Sequence, residues 1–559
     1  MSTRRFAVGI DLGTTHCALS YVDLEQSAGE DIVQGLMPIP QLTGAGAVEE
    51  RSMLPSFLYL PHPDELKAAD LGLPWDSDPG RVVGELARSL GANTPIRLVS
   101  SAKSWLCHPD VDRRAAILPP GVPVEIPQVS PLEASTTYLR HLRDAWDQLH
   151  PAADLAQQEV TVTVPASFDP AARELTAEAA RALGIENLVL LEEPQAALYN
   201  RVNDSKGTWR KQVRVGDIIL VVDVGGGTTD LSLIAVTERD GALELTRVAV
   251  GEHILLGGDN MDLALAHVVK GKLGDLGVEL DRWQIQALTH GCRQAKERLL
   301  SEPDLERVPV VVPSRGAKLV GGSVRTELTR EEVTGTLIEG FFPEVSASAR
   351  PAGRARTALT KLGLPFAQDP AVTRHLAAFL GRQTSATETL EGFVPQGAGR
   401  SFLHPTAILF NGGVFKAEVL RDRVMHIIGR WLTAEGGAEA RLLGAPDLDL
   451  AVARGAAYYG YVRRVGGVRI RGGTAQSYYV GIESTMPAVP GLEPPLQALC
   501  LAPFGMEEGS EPEIAPEEFG LVVGELVRFR FFGSSVRRED RVGTLLEDWG
   551  PDELEELEE

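Results

Sequence analysis

The sequence predicts an α/β protein built from two related lobes around one cleft, followed by a short β-rich tail. Three observations lead there. Apolar runs of strand length alternate with stretches of helical periodicity over most of the chain. One plan, an apolar strand ending in Asp, a glycine turn with two threonines and a second strand, occurs at residues 6–24 and again at 218–236. From Gly466 onward the pattern changes to β-like runs separated by Pro, Gly and Glu.

The elements follow in order. FAVGIDLGTTHCALSYVDL, residues 6–24, reads as two strands around a tight glycine turn. Residues 30–80 are rich in Pro, Gly and Asp and read as loop, with a strand near Ser56–Leu60. Leu132, Tyr138, Leu139, Leu142, Trp146 and Leu149 recur at helical spacing over 131–150. A strand is expected at Glu159–Val164. A helix at about Pro170–Leu183 is started by Asp169 as a cap before Pro170. A strand at Leu188–Leu191 leads to a helix near Pro194. The second hairpin, 218–236, begins 212 residues after the first, Asp to Asp, too far for a solenoid repeat. That spacing fits two lobes, each supplying one hairpin to a shared cleft. Residues 343–405 read as an insertion with a basic stretch (Arg350–Arg356), a helix near Ala371–Arg382 and a Gly-rich loop. A strand at Ala407–Phe410, a helix at about 417–432 and a helix at 450–464 with small residues along one side complete the first 465 residues. In the tail, strands are expected at Ser477–Glu483, Leu496–Leu501 and Leu521–Phe532. Pro551–Glu559, in an end where eight of the last 13 residues are acidic, reads as the start of a helix.

Composition narrows the function. The chain has 559 residues, 43% hydrophobic and 23% charged, with a net charge of −23. This is a globular composition, long enough for a sizeable core. The acidic balance argues against a nucleic-acid coat or a basic membrane-surface protein. The four cysteines, Cys17, Cys107, Cys292 and Cys500, have no metal-ligand spacing and point to a reducing compartment. The N-terminal stretch does not read as a secretory signal, no 18-residue apolar run occurs, and a cytoplasmic location is expected.

The two glycine turns carry the chemistry. Triphosphate binding needs backbone N–H groups that approach oxygens closely, and glycine permits that approach. Thr14, Thr15, Thr228 and Thr229 add hydroxyls. A bridging divalent ion needs carboxylates nearby, usually with water between, and Asp11 and Asp223 stand at the strand ends beside the turns. Neither GxxxxGK[ST] nor a GxGxxG opening a helix is present. No residue beside the turns reads as a strong general base, so hydrolysis is expected to be slow.

VGIDLGTT (8–15) and DVGGGTTD (223–230) resemble the two phosphate motifs of the actin, sugar-kinase and heat-shock ATPase superfamily, whose domain is two-lobed and ribonuclease H-like. Further segments resemble the seventy-kilodalton heat-shock (DnaK-like) chaperones. They are VTVPASFDPAARELTAEAARALGI (162–185), LLEEPQAALYN (190–200), LLGGDNMD (255–262), ILFNGGVFKAEVLRDRV (408–424) and DLDLAVARGAA (447–457). The likeness spans about residues 6–465. It implies an actin-like ATPase domain over 1–465, interrupted by 343–405, and a tail, 466–559, that is at most a partial substrate-binding β-domain.

The resemblance also implies roles. ATP or ADP with Mg2+ would be held by Gly13, Thr14, Thr15, Gly225, Gly226, Gly227 and Thr228 at the phosphates, with Gly257, Gly258, Lys296, Gly412, Gly413 and Asp449 on the adenosine side. Asp11 and Asp223 would hold the metal through water. Asp11, Lys103, Glu193, Asp223 and Thr228 would be the catalytic set, Lys103 positioning the attacking water. Pro165 would relay nucleotide state, and Asp230 closes the second phosphate motif. Val414 and Lys416 stand where the family has serine and arginine, Arg293 where it has glutamate, and Glu297 where arginine is common. The family's acidic-apolar linker is replaced by GGVRIRGG near 465. Unfolded-protein clients or co-chaperones are the implied partners, with neither nucleic acid nor membrane. A small-molecule kinase and a non-catalytic actin-like scaffold are the alternatives on the same fold. The tail is expected not to be a complete, autonomous peptide clamp, because only three strand runs stand out in it.

Overall fold

The computed structural model describes residues 4–557 apart from 30, 109, 240–241, 313–323, 354–363, 388–389, 391–392, 394–398, 445–446, 469, 472, 475, 484–495, 507–528, 535, 538 and 551–552. Two six-stranded sheets form the body. In the first, Leu188–Glu192, Glu159–Val164, Phe6–Leu12, His16–Asp23 and Gln34–Leu36 lie side by side, with Leu54–Pro55 also on the fourth. In the second the order is Arg441–Leu443, Ala407–Asn411, Ile218–Val224, Thr229–Arg239, Ala242–Val250 and Ile470–Arg471. The two share one wiring. Each first strand pairs antiparallel with the next in sequence and parallel with a later one. The repeat of the glycine-turn plan is therefore a repeat of whole lobes, and the fold is the two-lobed actin-like α/β architecture.

Alternation along the strands sets the layers. Val8 and Ile10 face the core under helices Pro131–Leu149 and Pro170–Arg181, while Ala7 faces helix Ala451–Val465. Ile218, Leu220 and Val222 face helices Gly258–Asp275, Arg282–Ser301, Val372–Arg382 and Glu418–Ala434. Ile219 and Val221 face helices Glu193–Asp204 and Ala451–Val465. These last two helices thus lie between the sheets. Their approach depends on small residues. A Cβ on Gly455 would stand 2.6 Å from the Ala196 carbonyl carbon and 2.9 Å from Asn200 N. One on Gly9 would stand 2.8 Å from the Ala456 carbonyl carbon. The small-residue side read from the sequence is this crossing.

Helix starts follow the capping signals. Asp169 accepts from Ala172 N at 2.6 Å with Pro170 next, and Ser130 accepts from Glu133 N at 2.9 Å with Pro131 next. Outlying parts roof the cleft from both sides. Helix Glu85–Asn93 and two small sheets belong to the first lobe, and helix Arg282–Ser301 to the second. They meet where the Phe57 ring stands edge-on to His290 at 6.3 Å.

The segment read as an insertion is woven into the second lobe. Val372, Leu376, Phe379, Leu380, Phe402 and Leu403 are buried in that lobe's core. Its basic stretch beyond Gly353 and most of its Gly-rich loop lie outside the described residues. In the tail, Ser477–Glu483 and Leu496–Ala502 are strands as expected, and with Phe531–Ser534, Leu545–Leu546 and Glu555–Leu557 they form one antiparallel sheet. Of the run expected at 521–532, residues 521–528 lie outside the described residues. The helix expected at the acidic end is corrected: Glu555–Leu557 is an edge strand on Phe531–Gly533. Arg530 holds the carboxylate of Glu556 with two hydrogen bonds, 2.8 and 2.6 Å, which ties the charged run to the sheet. Among the described residues, no helix is long and apolar enough to cross a membrane.

Candidate functional site

The two glycine turns face each other across the cleft. In the second, Gly225 N donates to Thr228 O at 2.9 Å, with Asp223 opposite Asp230 in the register. A Cβ on Gly227 would stand 2.7 Å from Ser104 Oγ and 2.9 Å from Thr14 Cγ2, and one on Gly226 would strike Thr15. The turns thus touch through Thr14 and Thr15, and a side chain at Gly226 or Gly227 would have to displace these threonines. Ser56 supports the first turn by donating its hydroxyl to Gly13 O at 2.7 Å.

Lys103 is buried, at 8% exposure, where a surface lysine would be the ordinary expectation. It sits on helix Ala102–Leu106, entered through Ser101 in the left-handed region at φ +53°. The Ser101 hydroxyl donates to Asp259 of the other lobe at 2.9 Å. Such a conformation in a non-glycine residue costs on the order of 1 kcal/mol and here aims Lys103 inward. Its ammonium pairs with Glu193, which opens helix Glu193–Asp204. Burial alone would depress the Lys103 ammonium, but Glu193 and Asp11 outweigh it and raise its pKa.

Glu193, Asp11 and Asp230 act on that lysine, and Asp223 interacts with all three of these carboxylates. Burial pushes Asp11 up, against Lys103 and a 3.2 Å hydrogen bond from Thr163. Burial pushes Glu193 up to about 7, against Lys103, with Asp11 and Asp230 adding to the rise. Asp223 is driven well above the usual carboxylate range by burial and by Glu193, Asp230 and Asp11. The Asn411 amide, donating at 2.6 Å, works against this rise. One lysine does not balance these acids. A hydrated divalent cation would, so the donor set fits Mg2+. Among the described residues, no three His, Cys, Asp or Glu side chains gather closely enough to hold a metal directly.

The expected adenosine-side residues are placed more variously. Gly412, at φ +85°, packs on Asp223 and Val224. Gly257 and Gly258 pack under the second turn, with Gly258 N donating to Gly225 O at 3.0 Å. Lys296 pairs with Asp262 at 2.7 Å. Arg293, where the family has glutamate, pairs with Asp259 and, at 2.6 Å, with Asp262. Asp449 pairs with Lys416. Gly413 has open space around it.

Three residues were not singled out from the sequence. Asn411 adjoins Gly412 within a quoted motif, so its signal was in view. Ser167 follows Pro165 by two. His253 had no signal, since it lies 86 positions from the serine it touches at 2.7 Å. Ser167 also donates to Asp230.

By its two sheets and the cleft between them the chain is a two-lobed protein of the actin type. Residues 116–352 match the family model described as Hsp70 protein. A "Chaperone protein HscA homolog" of Methylococcus capsulatus is 32% identical over 63% of this chain and 50% of its own length. One of Polynucleobacter necessarius is 32% identical over 60% and 48%, and a "Chaperone protein HscA" of Xenorhabdus nematophila is 30% identical over 48% and 38%. The chain spans half or less of the length of these curated relatives. It is a relative of the Hsp70 proteins.

Proposed function

We propose that this protein is a DnaK-like ATPase, binding ATP or ADP with Mg2+ and using hydrolysis to move its lobes. The observation that carries the reading is the buried Lys103–Glu193 pair between Asp11 and Asp223, directly beside two touching glycine turns. The turns would wrap the phosphates through backbone N–H groups and the Thr14, Thr15 and Thr228 hydroxyls. Asp11 and Asp223 would hold Mg2+ through water, and the ion would supply charge neutralisation at the phosphates. Lys103 would orient the attacking water. Catalysis would rest on positioning and charge, as is general for phosphoryl transfer. The two sheets are bridged by helices Glu193–Asp204 and Ala451–Val465, so a change at Glu193 reaches both lobes. The relatives, named as chaperones, support a chaperone-related role and do not favour the kinase or scaffold alternatives; clients or co-chaperones as partners and a cytoplasmic location belong to the same reading. A domain of about 1–465 with a tail that is not an autonomous peptide clamp completes the reading.

The test is phosphate release with Mg2+ and with excess chelator, on wild type, Asp11→Asn and Asp223→Asn. Each variant should lose hydrolysis more than ATP binding, by roughly 100-fold or more, the usual cost of removing one electrostatic partner of a transition state. Chelator-insensitive rates, or variants within twofold of wild type, would overturn it.

A further inference from the structure

A hydrogen-bonded chain leaves the cleft behind Asp230 and alternates between lobes. Asp230, on the second turn, accepts from Ser167 Oγ of the first lobe. Ser167 Oγ meets His253 Nδ1 of the second lobe at 2.7 Å. His253 Nε2 meets Cys107 Sγ of the first lobe at 3.1 Å, and that thiol also reaches Ser104 O at 3.2 Å. Asp230 is 2% exposed, whereas His253 as a residue is partly exposed. A buried carboxylate in the cleft is thus linked through one hydroxyl to the imidazole of a partly exposed residue.

We propose that Ser167 and His253 form a proton relay that accepts, by way of Asp230, the proton released by the attacking water. This rests on the hydrolysis reading above. As the water oxygen bonds to the γ-phosphorus, the bond to the bridging oxygen breaks and its electron pair leaves with ADP. The proton of the water goes to Asp230. Asp230 passes a proton to Ser167 Oγ while the Ser167 hydroxyl proton moves to His253 Nδ1. Asp230 is then again a carboxylate accepting from Ser167. The imidazolium donates to Ser167 Oγ and Cys107 Sγ, and it gives up its proton to water when the lobes part and these contacts open.

The surroundings suit a transient carrier. The groups facing His253 are Asp230, Asp169, Lys103 and Cys107, with the Phe168 ring 6.1 Å away. Asp169 is itself neutralised by Arg113 at 2.8 Å. Burial holds the imidazole below its ordinary value, against Asp230 and Asp169, so a proton delivered there does not stay. Burial pushes the Cys107 thiol up to about 12, so it remains a neutral partner rather than a competing base. A general-base contribution of this kind is worth on the order of 100-fold or more in rate.

The experiment is single-turnover hydrolysis of bound Mg·ATP by the full chain, with ATP affinity measured in parallel by calorimetry. Ser167→Ala and His253→Ala should each slow hydrolysis at least tenfold while changing the ATP dissociation constant less than threefold. Ser167→Thr, which keeps the hydroxyl, should recover to within threefold of wild type. Added imidazole should accelerate His253→Ala and leave Ser167→Ala unchanged. Rates within twofold of wild type in Ser167→Ala or His253→Ala overturn the relay and leave the ATPase reading standing. Loss of ATP affinity in proportion to rate, or no response of His253→Ala to imidazole, also overturns it. A wild-type chain that binds Mg·ATP without hydrolysing it overturns both.

Discussion

Gly455→Ala sets two effects of known size against each other. Within a helix, Ala is favoured over Gly by about 1 kcal/mol. At the crossing of helices Glu193–Asp204 and Ala451–Val465, however, the new Cβ would stand 2.6 Å from the Ala196 carbonyl carbon, nearer still to its oxygen, and 2.9 Å from Asn200 N. All three atoms are backbone, so no rotamer change can make room. Ordinary contact begins near 3.4 Å, and the carbonyl carbon alone would have to retreat by about 0.8 Å. Overpacking of that kind costs typically 1–3 kcal/mol and here exceeds the propensity gain. The control is Gly429→Ala in helix Glu418–Ala434, where a Cβ meets nothing within 4 Å. Denaturant unfolding of the full chain should show Gly429→Ala stabilised by about 0.5–1 kcal/mol and Gly455→Ala destabilised by about 1–2 kcal/mol. Glu193 opens the displaced helix, so Gly455→Ala should also slow ATP hydrolysis, and Gly429→Ala should not. Gly455→Ala as stable as Gly429→Ala would refute the reasoning about this crossing.

Lys103→Met should abolish detectable hydrolysis and, in the absence of Mg2+, raise sensitivity to denaturant, because Glu193 and Asp11 lose their shared cation; unchanged turnover would count against its assigned role. Asp223→Asn should stabilise the nucleotide-free protein at pH 7.5. The Asp223 pKa is raised in the fold, so its contribution is present below the unfolded value of 3.8 and lost as pH rises through the folded value. The advantage of Asn should therefore shrink toward pH 5 and reverse when Mg·ATP is added, and a melting series with no pH trend would contradict it. Arg247→Met removes a buried guanidinium from Glu192 and from the Gly473 carbonyl. It should cost about 3 kcal/mol, Arg173 still holding Glu192 at 2.9 Å, and should hasten proteolysis between Gly466 and Gly473; an unchanged cleavage rate would show that the arginine does not anchor this segment.

How legible the protein is in its sequence depends on the range over which each signal acts. Caps and periodicity act within a few residues. That is why Glu159–Val164 and Val372–Arg382 came out within a residue of the expectation, and why Asp169–Pro170 marked a helix start correctly. The glycine turns were legible because a motif and its repeat carry their own meaning. The acidic end misled because charge alternation suits a solvated helix and an edge strand equally, and the choice was made by Arg530, some 26 positions away. Helix Val372–Arg382 shows the same limit at larger scale. Its apolar face was plain, but nothing local says that Leu376 and Phe379 complete the core of the second lobe rather than that of an appended piece.

The site divides along the same line. Asp11, Asp223 and the glycines are given by local pattern, whereas the burial of Lys103 depends on Glu193, 90 positions later. The relay is the extreme case. Cys107, Ser167, Asp230 and His253 come from four separate segments; Asp230 and Ser167 lie within quoted motifs, but nothing local links either to Cys107 or His253, and only lobe closure brings the four into line. Because successive members belong to opposite lobes, any separation of the lobes breaks the chain at every link. The same contacts that would carry the proton therefore make proton transfer conditional on a closed cleft, which couples chemistry to lobe position without a dedicated moving part.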